Sequence, residues 1–345
     1  MHISEGSLDD LLRRVLTKLL SPRCPSVSAT RGSAKELIGV MLELKNPRAR
    51  LSRTESRGKI FSALGELLWY LSRSNKVEFI AYYAAKYRDE TEDGKTIHGA
   101  YGPRFFSKQA TDSTLKINQI KNVLDILRSR PTTRRAVIQL FDASDLTRDF
   151  KEVPCTCTMQ FFIRKERLHL LVNMRSNDAY LGLPHDIFAF TLLQEIFARS
   201  LGVELGSYKH VAGSMHLYSD HMVGASKFLS EDWQENVPMP AMPQGDPWPS
   251  LRKLIAAERA IRTGKKSSTM DNSIAPYWQD FIRLLQIYNL SSSGHTTAAQ
   301  TIKGLKRNMS SKIYDPYIQK RHRIAKRKPD QEPKQTKLFE PTQTG

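Results

Sequence analysis

The sequence predicts an α/β (α+β) fold whose core is large enough for an enzyme domain. Apolar residues recur at helical spacing in several stretches, most clearly at 187–202, whereas runs at 136–141, 159–163 and 168–174 are typical of strands. The chain has 345 residues, of which 40% are hydrophobic, so it can bury a sizeable core. This length suits one large domain or two modest ones.

The N-terminal part predicts a helix, a strand and a buried helix, in that order. Ser7 precedes leucines at helical spacing and is a typical N-cap, and this helix ends before Pro22. Residues 37–44 are apolar with partial alternation and end before Pro47, which predicts a strand. The segment 60–71 is apolar on nearly all sides, so we expect a buried helix there.

The rest of the chain continues to mix helices and strands until the apolar periodicity stops. Five prolines lie between 234 and 250 and predict an extended loop. Beyond about residue 319 no apolar periodicity remains, and we expect a disordered tail. Another strand is expected at 203–212, and further helices are expected at 79–87, 117–128, 217–229, 251–261 and 277–288.

Composition excludes several classes of protein. No apolar run reaches the roughly 18 residues that cross a bilayer, and no basic region followed by an apolar segment opens the chain, so we expect a cytoplasmic protein. Three cysteines are too few for a disulfide framework. No set of Cys and His has zinc-site spacing, so no metal is expected.

The net charge of +18 at pH 7 has two interpretations, because a basic protein attracts polyanions. One is nucleic-acid binding, and the other is a site for phosphorylated small molecules on a generally basic surface. Clusters of Lys and Arg lie in the segment 319–345, where a solvated tail is the commoner explanation. We therefore expect nucleic-acid contacts only through that tail.

The stretch 153–221 concentrates candidate functional side chains between core-like runs. Cys155 stands at the start of a predicted strand. A lone cysteine is more often a small buried hydrophobe than a nucleophile, although nearby arginines would stabilise a thiolate. His216 taken alone is more often structural, and Asp186 is explained equally well as a helix N-cap before Ile187.

Upstream polar side chains also have competing explanations. Glu66 lies inside an apolar helix, where a carboxylate is costly unless it is paired, and an arginine partner is the simplest explanation. Arg134 and Arg135 precede a strand; such arginines are often surface charge, but they also suit bidentate phosphate binding. Arg31 in a Gly-Ser turn is a weak candidate for a phosphate loop, and the arginines at 48–57 suit either an exposed basic loop or phosphate contact.

Taken in order, these motifs resemble those of the thymidylate synthase family. The resemblance extends upstream to the helix of Glu66, to Tyr101-Gly102 and to Arg134-Arg135; it covers roughly residues 30–225 and is absent from the C-terminal hundred residues. The shared motifs are Pro-Cys, Arg-Ser-x-Asp, Leu-Gly-x-Pro and His-x-Tyr-x-x-His, here at 154–155, 175–178, 181–184 and 216–221.

The resemblance implies a three-layer fold, in which helices pack a large mixed sheet, and an obligate homodimer formed through that sheet. We expect an N-terminal helix at 1–22, a catalytic core at 23–230, a proline-rich loop with C-terminal helices of the same domain at 231–318, and a basic disordered tail at 319–345.

The resemblance also implies one-carbon transfer from 5,10-methylenetetrahydrofolate to C5 of a pyrimidine nucleotide monophosphate. Cys155 would add to C6 of the base, and loss of tetrahydrofolate would leave an exocyclic methylene, which hydride converts to methyl and water converts to hydroxymethyl. Glu66 would organise water and proton transfers, Tyr101 would assist near the base, and Arg175 would lie by the thiolate and the phosphate.

The remaining residues of the implied site divide by the part of the ligand that they contact. Further phosphate contacts would come from Ser176 and Arg31 and, across a homodimer interface, from Arg134 and Arg135. The pterin would be held by Asp178, and the sugar hydroxyl by His216 and Tyr218.

Several departures from the family bear on the substrate. Asp186 stands where thymidylate synthases carry an Asn that reads uracil; an Asp accepts from N4 of cytosine and, if protonated, donates to N3. Thr156 stands where synthases usually have His. The segment 82–87 lacks the tryptophan that shields the methylene intermediate, which favours attack by water, and the short apolar closing tail of the family is missing.

These departures favour hydroxymethylation of dCMP or CMP, as in the deoxycytidylate and cytidylate hydroxymethylases of this family. The alternative is a thymidylate synthase that converts dUMP to dTMP. A lesser alternative is a non-catalytic nucleotide-binding or nucleic-acid-binding protein on the same scaffold.

Overall fold

A computed structural model describes residues 1–29, 32–54, 58–109, 114–232, 235, 237–265, 273–293 and 296–326. The chain divides into two compact units, 1–256 and 257–345. The boundaries expected from the sequence at 22, 230 and 318 stay predictions.

Strands and helices are mixed along the chain. The strands are β1 (His2–Glu5), β2 (Ser26–Ala29), β3 (Gly32–Leu44), β4 (Lys108–Gln109), β5 (Lys116–Ile117), β6 (Val137–Gln139), β7 (Thr156–Arg164), β8 (Arg167–Asp178) and β9 (Glu204–Tyr218). The helices are α1 (Leu8–Leu19), α2 (Ile60–Leu71), α3 (Val77–Tyr83), α4 (Tyr101–Phe106), α5 (Gln119–Ser129), α6 (Gly182–Leu201), α7 (Met222–Ser230), α8 (Trp248–Arg262), α9 (Pro276–Ser292), α10 (Ala298–Arg307) and α11 (Asp315–Ala325).

Among the described residues, the first unit is built on a seven-stranded mixed sheet in the order β1-β3-β9-β8-β7-β6, with β2 paired to β3. The β1–β3 and β8–β9 pairs are parallel and the other pairs are antiparallel. Helices α1, α5 and α6 pack against strands of this sheet. The expected large mixed sheet packed by helices is therefore confirmed.

The strand register places one buried residue from each of the six strands β1, β3, β9, β8, β7 and β6 in a row across the sheet. Side chains alternate between the two faces along each strand, so the residues of this row lie on a single face, and that face forms the core. His210 is the polar member of an otherwise apolar row. The row consists of Ile3, Leu42, His210, Val172, Met159 and Ile138.

Two strands were longer or earlier than the sequence indicated. Strand β1 was not expected; its pairing with β3 brings the N-terminus into the sheet. Strand β9 continues to Tyr218, so the helix expected from 217 is wrong there and α7 begins only at Met222. Because β9 pairs with both β3 and β8, the ladder continues through the His-x-Tyr motif.

Three helix boundaries can be compared with those expected from the sequence. The N-cap role of Ser7 is confirmed, since its Oγ accepts from the Asp10 backbone N–H at 3.2 Å. The helix expected at 79–87 ends at Tyr83, and a 3₁₀ turn follows. Helix α6 begins at Gly182, so Asp186 lies in its second turn and the N-cap interpretation is wrong.

In the second unit, helices α9, α10 and α11 pack on one another. The Asp280 carboxylate accepts from the backbone N–H groups of Ser310 and Ser311 at 2.9 and 3.0 Å, which ties the segment after α10 to α9. The disorder expected from 319 is wrong as far as Ala325, where α11 ends. Residues 327–345 of that expected tail lie outside the described residues.

No helix in the described part of the chain is long and apolar enough to cross a membrane.

A buried ion pair joins the segment before α2 to helix α6. Arg50 and Glu195 are both fully buried and form a salt bridge, and Glu195 also accepts from the Met242 backbone N–H at 2.9 Å. Removing one partner of such a pair leaves an uncompensated buried charge. We predict that Glu195→Leu lowers the free energy of unfolding, measured by urea titration, by about 3–5 kcal/mol.

The double variant Arg50→Met with Glu195→Leu is the matched control. It should regain most of that loss, because apolar side chains of similar volume replace both charges. A double variant no more stable than Glu195→Leu would show that the pair is not the cause.

Candidate active site

Cys155 lies immediately before β7, next to a β-bulge in that strand. The β7–β8 register shifts between Thr156 and Thr158, which leaves Cys157 as the extra residue of a β-bulge. The Cys155 carbonyl accepts from the Arg175 backbone N–H at 2.8 Å, so Cys155 is fixed to the adjacent strand. Bulges commonly redirect side chains beside active sites.

The Arg175 side chain is held over the strand that carries the thiol. Its Nε donates to the Pro154 carbonyl at 3.1 Å, and its Nη2 donates to the Val153 carbonyl at 3.0 Å. The same Nη2 lies 3.8 Å from Cys155 Sγ. A guanidinium held in this way by main-chain acceptors stabilises a thiolate without depending on the thiolate for its position.

Tyr101 approaches Cys155 from the side of α4. Its hydroxyl donates to Thr156 Oγ1 at 3.0 Å and accepts from the Thr156 backbone N–H at 3.1 Å. Its ring stacks on that of Tyr70 with centroids 4.9 Å apart. Burial, followed by the charges of Cys155 and Asp186, holds the pKa of Tyr101 well above its usual value, so it is a neutral hydroxyl.

Glu66 on α2 has a tyrosine partner, not the arginine that the sequence favoured. The Tyr87 hydroxyl donates to Glu66 Oε1 at 3.1 Å. Helices α2 and α3 can approach closely because Gly65 has no side chain. A Cβ added to Gly65 would lie 2.2 Å from the Tyr83 ring, which occupies that space. Burial and then the Glu66 charge hold the pKa of Tyr87 well above its usual value.

Asp186 ends a chain of hydrogen bonds that begins in the core of the sheet. Asn177 Nδ2 donates to Asp186 Oδ2 at 2.7 Å, and Asn177 Oδ1 lies 3.1 Å from His210 Nε2. His210 Nδ1 lies 2.8 Å from the Tyr208 hydroxyl. Burial lowers the pKa of His210 to about 3, so the imidazole is neutral and has one N–H.

The direction of this chain follows from which atoms can donate. Asn177 Oδ1 only accepts, so His210 Nε2 carries the proton and Nδ1 accepts from the Tyr208 hydroxyl. That leaves the Asn177 amide N–H to face Asp186 Oδ2. Burial and then the charge of Glu66 raise the pKa of Asp186 well above its usual value, against the lowering hydrogen bond from Asn177.

Asp178 has the opposite electrostatic character. Its Oδ1 accepts from the backbone N–H groups of Tyr180 and Leu181 at 2.7 and 2.9 Å, and its Oδ2 lies 3.6 Å from His221 Nδ1. Burial alone would raise its pKa, but His221 and these N–H groups lower the pKa of Asp178 below its usual value. The site thus has one ionised carboxylate beside one that favours the neutral form.

Strand pairing brings three more expected residues to the same end of the sheet. Ser176 pairs with Ser214, and Asp178 pairs with His216 across β8 and β9. The rings of His216 and Tyr218 are in edge contact, with centroids 4.9 Å apart. These side chains therefore lie beside Asp178.

Two groups of expected residues are not brought to Cys155 within the chain. The Arg134 carbonyl accepts from Gln160, five residues along β7 from Cys155, which is about 17 Å of extended strand. Arg135 lies next to it at the entry to β6, and both arginines are exposed. Arg31 lies outside the described residues.

The order of these elements and motifs agrees with the result of the family comparison. The family model described as thymidylate synthase matches residues 38–246, which is more than half of the chain. The chain belongs to the thymidylate synthase family. This enzyme family carries out folate-dependent one-carbon transfer to C5 of pyrimidine nucleotides with methylenetetrahydrofolate as co-substrate, so the chain is a one-carbon transferase.

Relatives with different products match this chain at similar identity. A thymidylate synthase of Corynebacterium aurimucosum is 28% identical over 233 residues, covering 67% of this chain and 84% of the relative. A deoxyuridylate hydroxymethyltransferase of Bacillus phage SP01 is 31% identical over 218 residues, covering 61% of this chain and 56% of the relative. A thymidylate synthase of Bacillus licheniformis is 34% identical over 164 residues, covering 47% and 58%.

Some residues around the site were not found from the sequence. In the sequence, Tyr87 is simply the last residue of a segment without tryptophan, and nothing in its spacing indicates a hydrogen bond to Glu66. Asn177 was the unassigned position of the Arg-Ser-x-Asp motif. His210 carried a signal, because a polar residue stands there between buried core positions of a strand pattern.

The position of Arg175 generates a test of thiol reactivity. We predict that Arg175→Met slows alkylation of Cys155 by iodoacetamide roughly tenfold or more at neutral pH, because a charge-assisted hydrogen bond of about 1.5–3 kcal/mol is lost. The measurement is peptide-resolved mass spectrometry, in which Cys24 and Cys157 report general accessibility. Arg167→Met, at the other end of the same strand, is the control; equal slowing in both variants would contradict the assignment.

Proposed function

We propose that this enzyme hydroxymethylates C5 of a cytosine nucleotide monophosphate, dCMP or CMP. Cys155 adds to C6 of the base, Arg175 stabilises its thiolate, and Tyr101 supplies a neutral hydroxyl beside the nucleophile. The observation that carries the proposal is the hydrogen bond from Asn177 to Asp186 Oδ2, together with the raised pKa of that carboxyl.

Hydrogen-bond matching at Asp186 does not by itself choose the base. A neutral carboxyl has one donor and one acceptor, and this pair fits N3 and N4 of cytosine or O4 and N3 of uracil. Because Asn177 occupies Oδ2 as a donor, the carboxyl proton is favoured on Oδ1. Both bases are therefore compatible with the static geometry.

The choice arises in the chemistry. When a thiolate adds to C6 of cytosine, N3 becomes more basic and needs a proton. A carboxyl group kept neutral by burial can deliver that proton, whereas the amide that synthases carry at this position cannot. The raised pKa of Asp186 thus supports cytosine as the substrate.

The surroundings of Glu66 support water over hydride at the methylene stage. The 3₁₀ turn after α3 places a tyrosine hydroxyl on Glu66, in the segment that lacks a shielding tryptophan. A polar hydroxyl at this point can bind water, whereas an indole ring would exclude it. The phage relative, whose name is deoxyuridylate hydroxymethyltransferase, belongs to the same family.

The residues near Asp178 fit a reduced folate. Methylenetetrahydrofolate supplies the one-carbon unit when bound. The pterin ring presents adjacent N–H donors, and Asp178 is an ionised acceptor whose own geometry is fixed by backbone N–H groups. We assign the pterin to Asp178, the sugar hydroxyl to His216 and Tyr218, and a phosphate contact to Ser176.

We further propose a homodimer through the face of the sheet opposite its core. Val137 and Met41 are 40% and 36% exposed and alternate with buried neighbours, so they lie on that outer face. Exposed apolar side chains on a large sheet face favour association. A partner would bring its Arg134 and Arg135 towards the phosphate, which one chain alone does not do.

Thymidylate synthesis from dUMP is the second candidate, favoured by the names of two relatives. We predict that the purified enzyme, given methylenetetrahydrofolate, converts dCMP or CMP to the 5-hydroxymethyl product and releases tetrahydrofolate. The measurement is mass spectrometry of the nucleotide with absorbance detection of dihydrofolate. Dihydrofolate formation with dUMP would instead establish the synthase.

Cys155→Ala separates both enzyme candidates from a non-catalytic nucleotide-binding protein. The variant should lose turnover nearly completely while it still binds nucleotide, because the covalent adduct with C6 needs the thiolate.

Asp186→Asn tests the role assigned to the carboxyl. We predict that it lowers turnover of dCMP by roughly 10²–10⁴-fold, because the amide cannot protonate N3, while turnover of dUMP does not fall. In the wild type, activity on dCMP should decrease as pH rises through the raised pKa of Asp186, and the variant should lose this dependence. Asp125→Asn, whose side chain lies on the solvent side of α5, is the matched control; an equal loss on both bases would contradict the assignment.

A further inference from the structure

A further carboxyl group, that of Glu152, lies beside the groups around Cys155. The Gly99 backbone N–H donates to this carboxyl, and its Oε2 atom is buried without a hydrogen-bond partner among the described residues. An added Cβ on Gly99 would lie 1.9 Å from Oε2, so the carboxyl is pressed against the turn that leads into Tyr101. Buried polar atoms are rarely left without a partner, and the exceptions concentrate at functional sites.

One of the charges that act on Glu152 is that of Arg175, the arginine beside Cys155. Burial raises the pKa of Glu152 to about 7, which is poised for proton transfer near neutral pH. The charge of Glu152 contributes, after burial, to the raised pKa of two site tyrosines. The charged and titratable groups that face it are Arg104, Glu90, Arg175, Tyr87 and Tyr101.

The other two carboxyl groups near the base already have partners. Glu66 Oε1 accepts from the Tyr87 hydroxyl, and Asp186 Oδ2 accepts from Asn177. Tyr87 responds to the charges of both Glu66 and Glu152, so its hydroxyl lies in the field of each. A water held between Glu152 Oε2 and the Tyr87 oxygen would have an acceptor on either side.

We propose that Glu152 is the catalytic base that takes a proton from the water that attacks the exocyclic methylene. This assignment rests on the proposed hydroxymethylation. It gives the water step its own carboxylate and leaves Glu66 and Asp186 to the proton transfers at the base.

The step balances without a further reactant. The water oxygen forms a bond to the methylene carbon, and one water proton moves to the Glu152 carboxylate. The electron pair of the exocyclic double bond moves into the ring, then restores the C5–C6 double bond as the C6–S bond breaks. Cys155 leaves as a thiolate, and Glu152 returns its proton to solvent before the next turnover.

The sign of the pH dependence follows from the role of a base. Glu152 accepts a proton only when it is ionised, so hydroxymethyl formation should increase as pH rises through about 7. This direction is opposite to the one expected from Asp186, and the two together give a bell-shaped profile.

Glu152→Gln is the test, because it keeps the shape of the side chain and removes the base. With enzyme in excess over dCMP labelled with tritium at C5, tritium release reports the steps before the methylene forms, and hydroxymethyl product reports water attack. We expect product formation to slow roughly 10²–10⁴-fold, with tritium release unchanged and the rise with pH near 7 abolished. Glu92→Gln is the matched control, since Glu92 is exposed and accepts from the Lys151 backbone N–H beside Glu152.

Three results would overturn the assignment. Unchanged product formation in Glu152→Gln would show that water needs no base there. Equal slowing of tritium release and product formation would show that Glu152 only positions the turn before Tyr101. A wild-type enzyme that makes methyl product and dihydrofolate would remove the proposed function itself, which the wild-type reaction reveals before any variant is made.

Discussion

The hydrogen bond between Asn177 and Asp186 connects the interior of the sheet to the chemistry of the site. It is the last link of a chain that starts at Tyr208 and passes through His210, a buried polar residue in an otherwise apolar row. With His210 neutral and the Asn177 amide N–H facing Asp186, the donors and acceptors of the chain are matched at every link. The packing that buries His210 is therefore connected, through Asn177, to the carboxyl group of Asp186.

Four carboxyl groups, those of Glu66, Glu152, Asp178 and Asp186, share one poorly solvated region, and they cannot all be ionised at low cost. Burial and then the Glu66 charge raise the pKa of Asp186, whereas His221 and backbone N–H groups lower the pKa of Asp178 against the effect of burial. Arg104 and Arg175 partly offset the burial of Glu152. Differences of surroundings thus give chemically identical groups different protonation states, which is how one site provides both acids and bases.

Much of the fold could be predicted from the sequence because the periodicity of apolar residues indicates which side chains are buried. The core strands, the helix at 60–71 and the N-cap of Ser7 follow from local pattern alone. The break after Tyr83 was missed because it depends on where the Tyr87 ring packs, at Trp69 in edge contact. The length of β9 was missed because its last residues are ordered by pairing with distant strands, which no local pattern contains.

The candidate site was likewise predicted only in part from the sequence. The motifs located Cys155, Arg175 and Asp186 in one region, since the family resemblance covers them in order. Glu152 was not found, because a carboxylate three residues before a cysteine carries no pattern. Its carboxyl packs against the turn at Gly99, about fifty residues earlier in the chain, and no local pattern contains that contact.

The bulge at Cys157 has a consequence for how this scaffold can vary. It interrupts the alternation of β7 just after Cys155, so the residues beyond it can keep their register with the core independently of Cys155. We expect that substitutions in the core of the sheet beyond the bulge disturb the position of the Cys155 side chain less than they would in a regular strand. Relatives that bear different activity names could then differ in the interior of the sheet without realigning the residue at the position of Cys155.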